Sequence, residues 1–161
     1  GCGKSKVLID NMAWLYWNTK IDTAIIVAPK GVYTNWKNNE IPAHLHDDIS
    51  SKVYIWKSNL NKKETTELKT SVGHEARTNL RILLINVEAF ATKKIFKFLD
   101  TFTHRSNFLV AVDESTTIKN IKAKNQGTDK ICRESKVQTD TNWISDNKVA
   151  LGSILTVFIF G

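Results

Sequence analysis

Phe108-Leu109-Val110-Ala111-Val112-Asp113-Glu114 is an unbroken apolar run that stops on two adjacent acids. A strand with one wet face alternates polar and apolar residues, and this run does not, so it reads as a strand buried on both faces. Two other stretches share that character: Ala24-Ile25-Ile26-Val27-Ala28, which ends on Pro29, and Arg81 to Val87. Lys52 to Trp56 reads as a further strand. The segments between them carry helical spacing. Ser5 to about Asn18 sets Leu8, Met12, Leu15 and Tyr16 on one side, and Glu88 to Phe102 does the same with Phe90, Ile95, Phe98 and Leu99. Gly31 to Leu45, with Val32, Trp36 and Ile41, predicts a helix interrupted near Pro42. Asn61 to Ala76 is polar and predicts an exposed helix. Doubly buried strands alternating with helices predict an α/β fold with a parallel sheet between two helical layers. In such sheets ligands sit beyond the carboxyl ends of the strands, which is where Asp113 and Glu114 stand.

The 161 residues suffice for one domain with a hydrophobic core, and the 42% apolar and 24% charged fractions are ordinary for a globular chain. The apolar runs are too short to span a bilayer, so no membrane partner is expected. No basic-then-apolar leader opens the chain, and Cys2 and Cys132 have no metal-site spacing; both features point to the cytoplasm. A net charge of +7 raises the expectation of a polyanionic partner.

Gly1-Cys2-Gly3-Lys4-Ser5 fits the end of a phosphate-binding loop, G-x-x-x-x-G-K-[ST]. There, glycines admit backbone N–H groups close to phosphate oxygens, a lysine neutralises the β- and γ-phosphates, and a serine hydroxyl holds Mg²⁺. The helix that follows turns its positive end to the same phosphates. Gly1, Cys2, Gly3, Lys4 and Ser5 are therefore the candidate ATP site. The acids closing the Phe108–Val112 run complete it: Asp113 to hold, through water, the Mg²⁺ that Ser5 also holds, and Glu114 to orient or activate the attacking water. Lys4, Asp113 and Glu114 are the candidate catalytic residues.

Between these motifs lie segments that resemble a known family. Val27-Ala28-Pro29-Lys30 through Asn35-Trp36 and Glu40-Ile41 resembles motif Ia of superfamily-two helicases of the Swi/Snf type. Leu84-Ile85-Asn86-Val87-Glu88-Ala89-Phe90 is similar to a later strand and turn, and Asp113-Glu114-Ser115-Thr116-Thr117-Ile118-Lys119-Asn120 to the Asp-Glu-x-His-x-x-Lys-Asn box. The matches stand in the family's order and run to about residue 135, and they look most like the branch common in bacteriophage genomes. The resemblance implies a RecA-like ATP-binding lobe of a DNA-dependent translocase or helicase, in the host cytoplasm if the source is viral. It implies DNA phosphate contacts at Lys30, Asn35 and Lys37, and coupling residues Thr116, Lys119 and Asn120. Thr116 replaces the family's usual histidine and cannot carry an imidazole's charge. Trp36 also lies in motif Ia, but its size suits a core position under its helix better than a DNA contact.

The chain opens on the loop without a preceding strand, so a lobe truncated at both ends is expected, with the second lobe and its transition-state arginine missing and ATP turnover by this chain negligible. From about Ser135 the family pattern stops. A reading frame displaced by one base permits the expected Leu-Thr-Gly-x-Pro, so residues 136–161 read as an out-of-frame tail whose apolar end is an aggregation risk. Two other functions fit parts of the sequence: another P-loop NTPase, such as a packaging ATPase, and a non-catalytic basic nucleic-acid-binding module. His44-x-His46-Asp47-Asp48 reads as an exposed turn, since its spacing matches no common zinc pattern.

Overall fold

The computed structural model describes residues 3–57, 59–72, 78–91, 93–113 and 156–159, the last of these through the backbone alone. Helix α1 (Lys4–Trp17) leads into strand β1 (Thr23–Ala28). A helical stretch follows, made of α2 (Val32–Asn35), a π-helical turn (Trp36–Glu40) and α3 (Ile41–His44). Then come β2 (Ser51–Trp56), α4 (Lys62–Thr70), β3 (Leu80–Asn86), a 3₁₀ turn (Val87–Ala91), α5 (Lys93–Thr103) and β4 (Phe108–Val112). Strand β5 (Thr156–Ile159) closes the order. All strand pairs are parallel, and the sheet runs β2-β3-β1-β4-β5.

The central strands are buried on both faces, and their side chains divide between two cores. Ala24, Ile26 and Ala28 of β1, Leu80, Ile82 and Leu84 of β3, and Leu109 and Ala111 of β4 meet α1 together with Trp36 and Ile41. Ile25, Val27, Leu83, Ile85 and Phe108 meet Leu68 of α4 and Ile95, Leu99 and Phe102 of α5. The molecule is thus a three-layer α/β fold, as the uninterrupted apolar runs predict. The connection leaving β1 packs on one face and those leaving β2 and β3 on the other. That division is what right-handed crossovers in opposite directions along a sheet require.

Three elements differ from the sequence expectation. The stretch after β1 is not broken at Pro42. It widens into a π-helical turn just before it, which makes room for the Pro42 ring against the carbonyls of the preceding turn. The helix expected from Glu88 opens instead as a 3₁₀ turn, capped where Asn86 Oδ1 accepts the Ala89 backbone N–H at 3.1 Å. The helix expected to reach Ala76 spans only Lys62–Thr70, and residues 73–77 lie outside the described residues. Its start is well marked. Asn61 accepts from the Glu64 backbone at 2.8 Å, while the Glu64 carboxylate accepts from the Asn61 N–H at 3.0 Å, a capping box. Lys57 hydrogen-bonds the same carboxylate, which with the Asn61 N–H holds Glu64 below the usual carboxylate range.

Strand β5 falls inside the segment read as an out-of-frame tail. Its ladder with β4, Leu109↔Thr156 to Val112↔Ile159, uses backbone groups that any apolar, β-branched run supplies at an open sheet edge. The rest of residues 136–161 lies outside the described residues.

Candidate functional site

Of the candidate residues, Gly3, Lys4, Ser5 and Asp113 belong to elements that open or close at the carboxyl edge of the sheet. Gly3 is the N-cap of α1 and holds φ +69°, in the left-handed region that favours glycine. A Cβ there would meet nothing within 4 Å, so it is the backbone conformation, not crowding, that selects glycine. Lys4 and Ser5 open the helix behind it, Lys4 exposed and Ser5 half-buried, and the first turn contains no acid to offset the helix's positive end.

Helix α1 is tied to the opposite, amino edge by its C-terminus. Thr19 N–H donates to Tyr16 O and Lys20 N–H to Leu15 O, both at 2.9 Å, and then Asp22 N–H donates to Asn107 O just ahead of β4. The 14 residues of α1 rise by about 21 Å. A six-residue strand spans about 20 Å. The helix therefore runs back along the sheet, and its N-terminus comes level with the strands' carboxyl ends.

Asp113 stands at that same edge, just past β4. Its backbone N–H donates to Val27 O at 2.8 Å, extending the β1–β4 ladder by one bond. Its side chain is fixed from across the fold: Oδ2 accepts a hydrogen bond from the indole N–H of Trp36 at 3.0 Å. Trp36 is 2% exposed and belongs to the core cluster containing Ala28, Leu109 and Ala111. The core position expected for Trp36 is what the structure has. Sequence reasoning missed the bond to Asp113, since the partners are 77 positions apart and no local pattern joins them.

The residues assigned to DNA contact by resemblance are divided. Lys30 is exposed in the turn that leaves β1, where Val32 N–H donates to Pro29 O at 3.1 Å and Gly31 takes φ +90°. Asn35 is exposed, but its amide donates to Glu40 at 3.1 Å and accepts from Asn39 at 2.6 Å. Lys37 lines a cavity of about 120 Å³ with Tyr54, Lys57, Glu64 and Glu67, at the β2 edge of the sheet. Strand β4 lies on the other side of β1. Gly1, Cys2, Glu114, Thr116, Lys119 and Asn120 lie outside the described residues.

At the amino edge a second buried polar cluster went unread in the sequence. Arg81 is fully buried in β3. It donates to Ser71 O at 3.0 Å, to Thr23 Oγ1 at 2.7 Å and to Ser106 Oγ, stands 3.6 Å from Asp22, and lies 4.7 Å from the Phe102 ring centroid. His46, from the discounted His-Asp turn, packs edge-on against Trp17 at 5.1 Å and contacts Asp48 at 3.1 Å. Among the described residues no helix is long and apolar enough to cross a membrane.

The residue types at the carboxyl edge suit a Mg²⁺–nucleotide. A left-handed glycine opens a helix with a lysine and a serine, and among the described residues the Asp113 carboxylate accepts a side-chain bond on Oδ2 and none on Oδ1. No protein-family model matches the chain, and no curated protein matches it.

Proposed function

We propose that this chain is the ATP-binding lobe of a DNA-dependent ATPase, a RecA-like lobe of the Swi/Snf helicase type. The observation that carries the reading is topological. The N-terminus of the helix opened by left-handed Gly3 and the end of the strand closed by Asp113 both lie at the carboxyl edge of one parallel sheet. Ligands of such sheets bind at that edge, and helix N-termini there favour anions.

In this reading the backbone from Gly1 to Ser5 cradles the phosphates and Lys4 neutralises the β- and γ-phosphoryl oxygens. The Ser5 hydroxyl and Asp113 hold Mg²⁺, and Glu114 orients the attacking water. The bound ion would supply charge stabilisation to the phosphoryl group during transfer. Lys30 is the best placed of the DNA candidates, being exposed beside the same edge. Asn35 and Lys37 would have to give up or share their acidic neighbours. Phosphate contacts of this kind set position on DNA without reading sequence. Thr116, Lys119 and Asn120 would couple the two sites.

Binding of a fluorescent ATP analogue to the chain, with and without Mg²⁺, tests the proposal. Lys4→Ala removes a charge-assisted bond and should weaken binding by about tenfold or more. Equal affinity in wild type and Lys4→Ala would refute the phosphate-loop reading. In that event DNA binding that persists unchanged in Lys4→Ala and Asp113→Ala would favour a non-catalytic basic module.

A further inference from the structure

The Trp36–Asp113 hydrogen bond has a consequence for the acid that goes beyond filling the core. A buried indole N–H needs an acceptor, and backbone carbonyls are the usual supply. Here the acceptor is the side chain that ends the central parallel strand pair, 77 positions away. Trp36 is the first residue of the π-helical turn Trp36–Glu40, which inserts extra backbone between α2 and α3. Such turns are uncommon and concentrate at functional sites. Pro42 lies just beyond it, and a proline ring crowds the carbonyl four residues back, here Asn38 inside the turn, so the widening also accommodates the proline.

We propose that Trp36 is a positioning residue for Asp113. Its indole N–H occupies Oδ2 and restricts the carboxylate to one orientation, leaving Oδ1 as the oxygen offered to a divalent cation. This rests on the reading of Asp113 as a Mg²⁺ ligand. A carboxylate free to rotate must be ordered when it takes a cation; one already held from behind by a rigid, buried donor has less freedom to lose. The same bond ties the helical stretch that leaves β1 to the cation site, so a change in how Asp113 is engaged is felt at Trp36. Trp36 touches neither nucleotide nor ion in this scheme. It acts through Asp113.

The test uses the full 161-residue chain and Mg²⁺ with ATP as the probe. Trp36→Phe keeps an aromatic ring in the core and removes the N–H. It should leave nucleotide affinity measured in excess chelator unchanged while weakening the Mg²⁺ dependence by about tenfold, the scale typical of lost outer-shell partners. A merely structural role would move both affinities together, or neither. The second readout needs no change at Trp36. In a ¹H–¹⁵N spectrum its indole resonance should shift in Asp113→Ala, and in wild type it should shift when Mg²⁺ is added to the ATP-bound chain. An indole resonance indifferent to Asp113→Ala and to Mg²⁺ overturns the proposal, as does a folded Trp36→Phe variant with wild-type Mg²⁺ dependence. A wild-type chain that binds no nucleotide is a different failure: it removes the ATP-site reading itself, and this inference with it.

Discussion

Arg81 shows how much a single residue can hold. Its guanidinium gathers the Ser71 carbonyl and the Thr23 and Ser106 hydroxyls at the amino edge, with the Phe102 ring beneath and Asp22 alongside. Arg81→Met keeps the length and removes the donors, stranding those buried acceptors, and should cost about 3 kcal/mol. Urea denaturation would check this as a lower midpoint at unchanged slope. A variant as stable as wild type would mean that the cluster contributes no net stability. In the sequence Arg81 is only a charge at the head of an apolar run, because burial of this cation depends on acceptors from β1, the cap of α4 and the loop before β4. Trp36 is the same kind of case. Its size announced a core position, whereas its partner Asp113 comes from the end of β4, 77 positions away.

At the level of elements, the apolar spacing located α1 and the central strands closely. Leu8, Met12 and Leu15 are buried as their spacing requires, while Val7, Trp14 and Trp17 stay exposed. The end of α1 was less legible. It closes with crossed bonds from Thr19 and Lys20 to Tyr16 and Leu15, a motif that puts its first residue beyond the cap in the left-handed region. That residue is Thr19, at φ 54°, where glycine is the comfortable choice. Thr19→Gly should therefore raise stability by about 1 kcal/mol, read as a higher melting temperature; a drop would show that the threonine side chain contributes more than the strained backbone costs. The π-helical turn and the 3₁₀ opening before α5 were not legible either. The first lies just before Pro42, whose ring crowds the carbonyl four residues back, and the second is capped by the Asn86 side chain; neither shows in the spacing of apolar residues.

Across the whole molecule, a net charge of +7 is an electrostatic statement that needs no particular fold. If DNA is the partner, affinity should fall steeply with salt, and Lys30→Ala should lower the slope of log affinity against log salt by about one. An unchanged slope in Lys30→Ala would remove Lys30 from the interface. Lys37→Ala should have the smaller effect, because Lys37 shares its cavity with Glu64 and Glu67. By itself the sequence determined the three-layer α/β class, since strands apolar on both sides have nowhere to go but between two helical layers. It also offered Gly3, Lys4, Ser5 and Asp113 as the candidates on which the proposed phosphate and metal site rests, because that chemistry demands particular side chains at particular turns. Only the tertiary structure decided the strand order, the return of α1 to the edge where β4 ends, and the indole that holds Asp113. Those depend on crossover handedness and on contacts between residues far apart in the chain, which no local pattern carries.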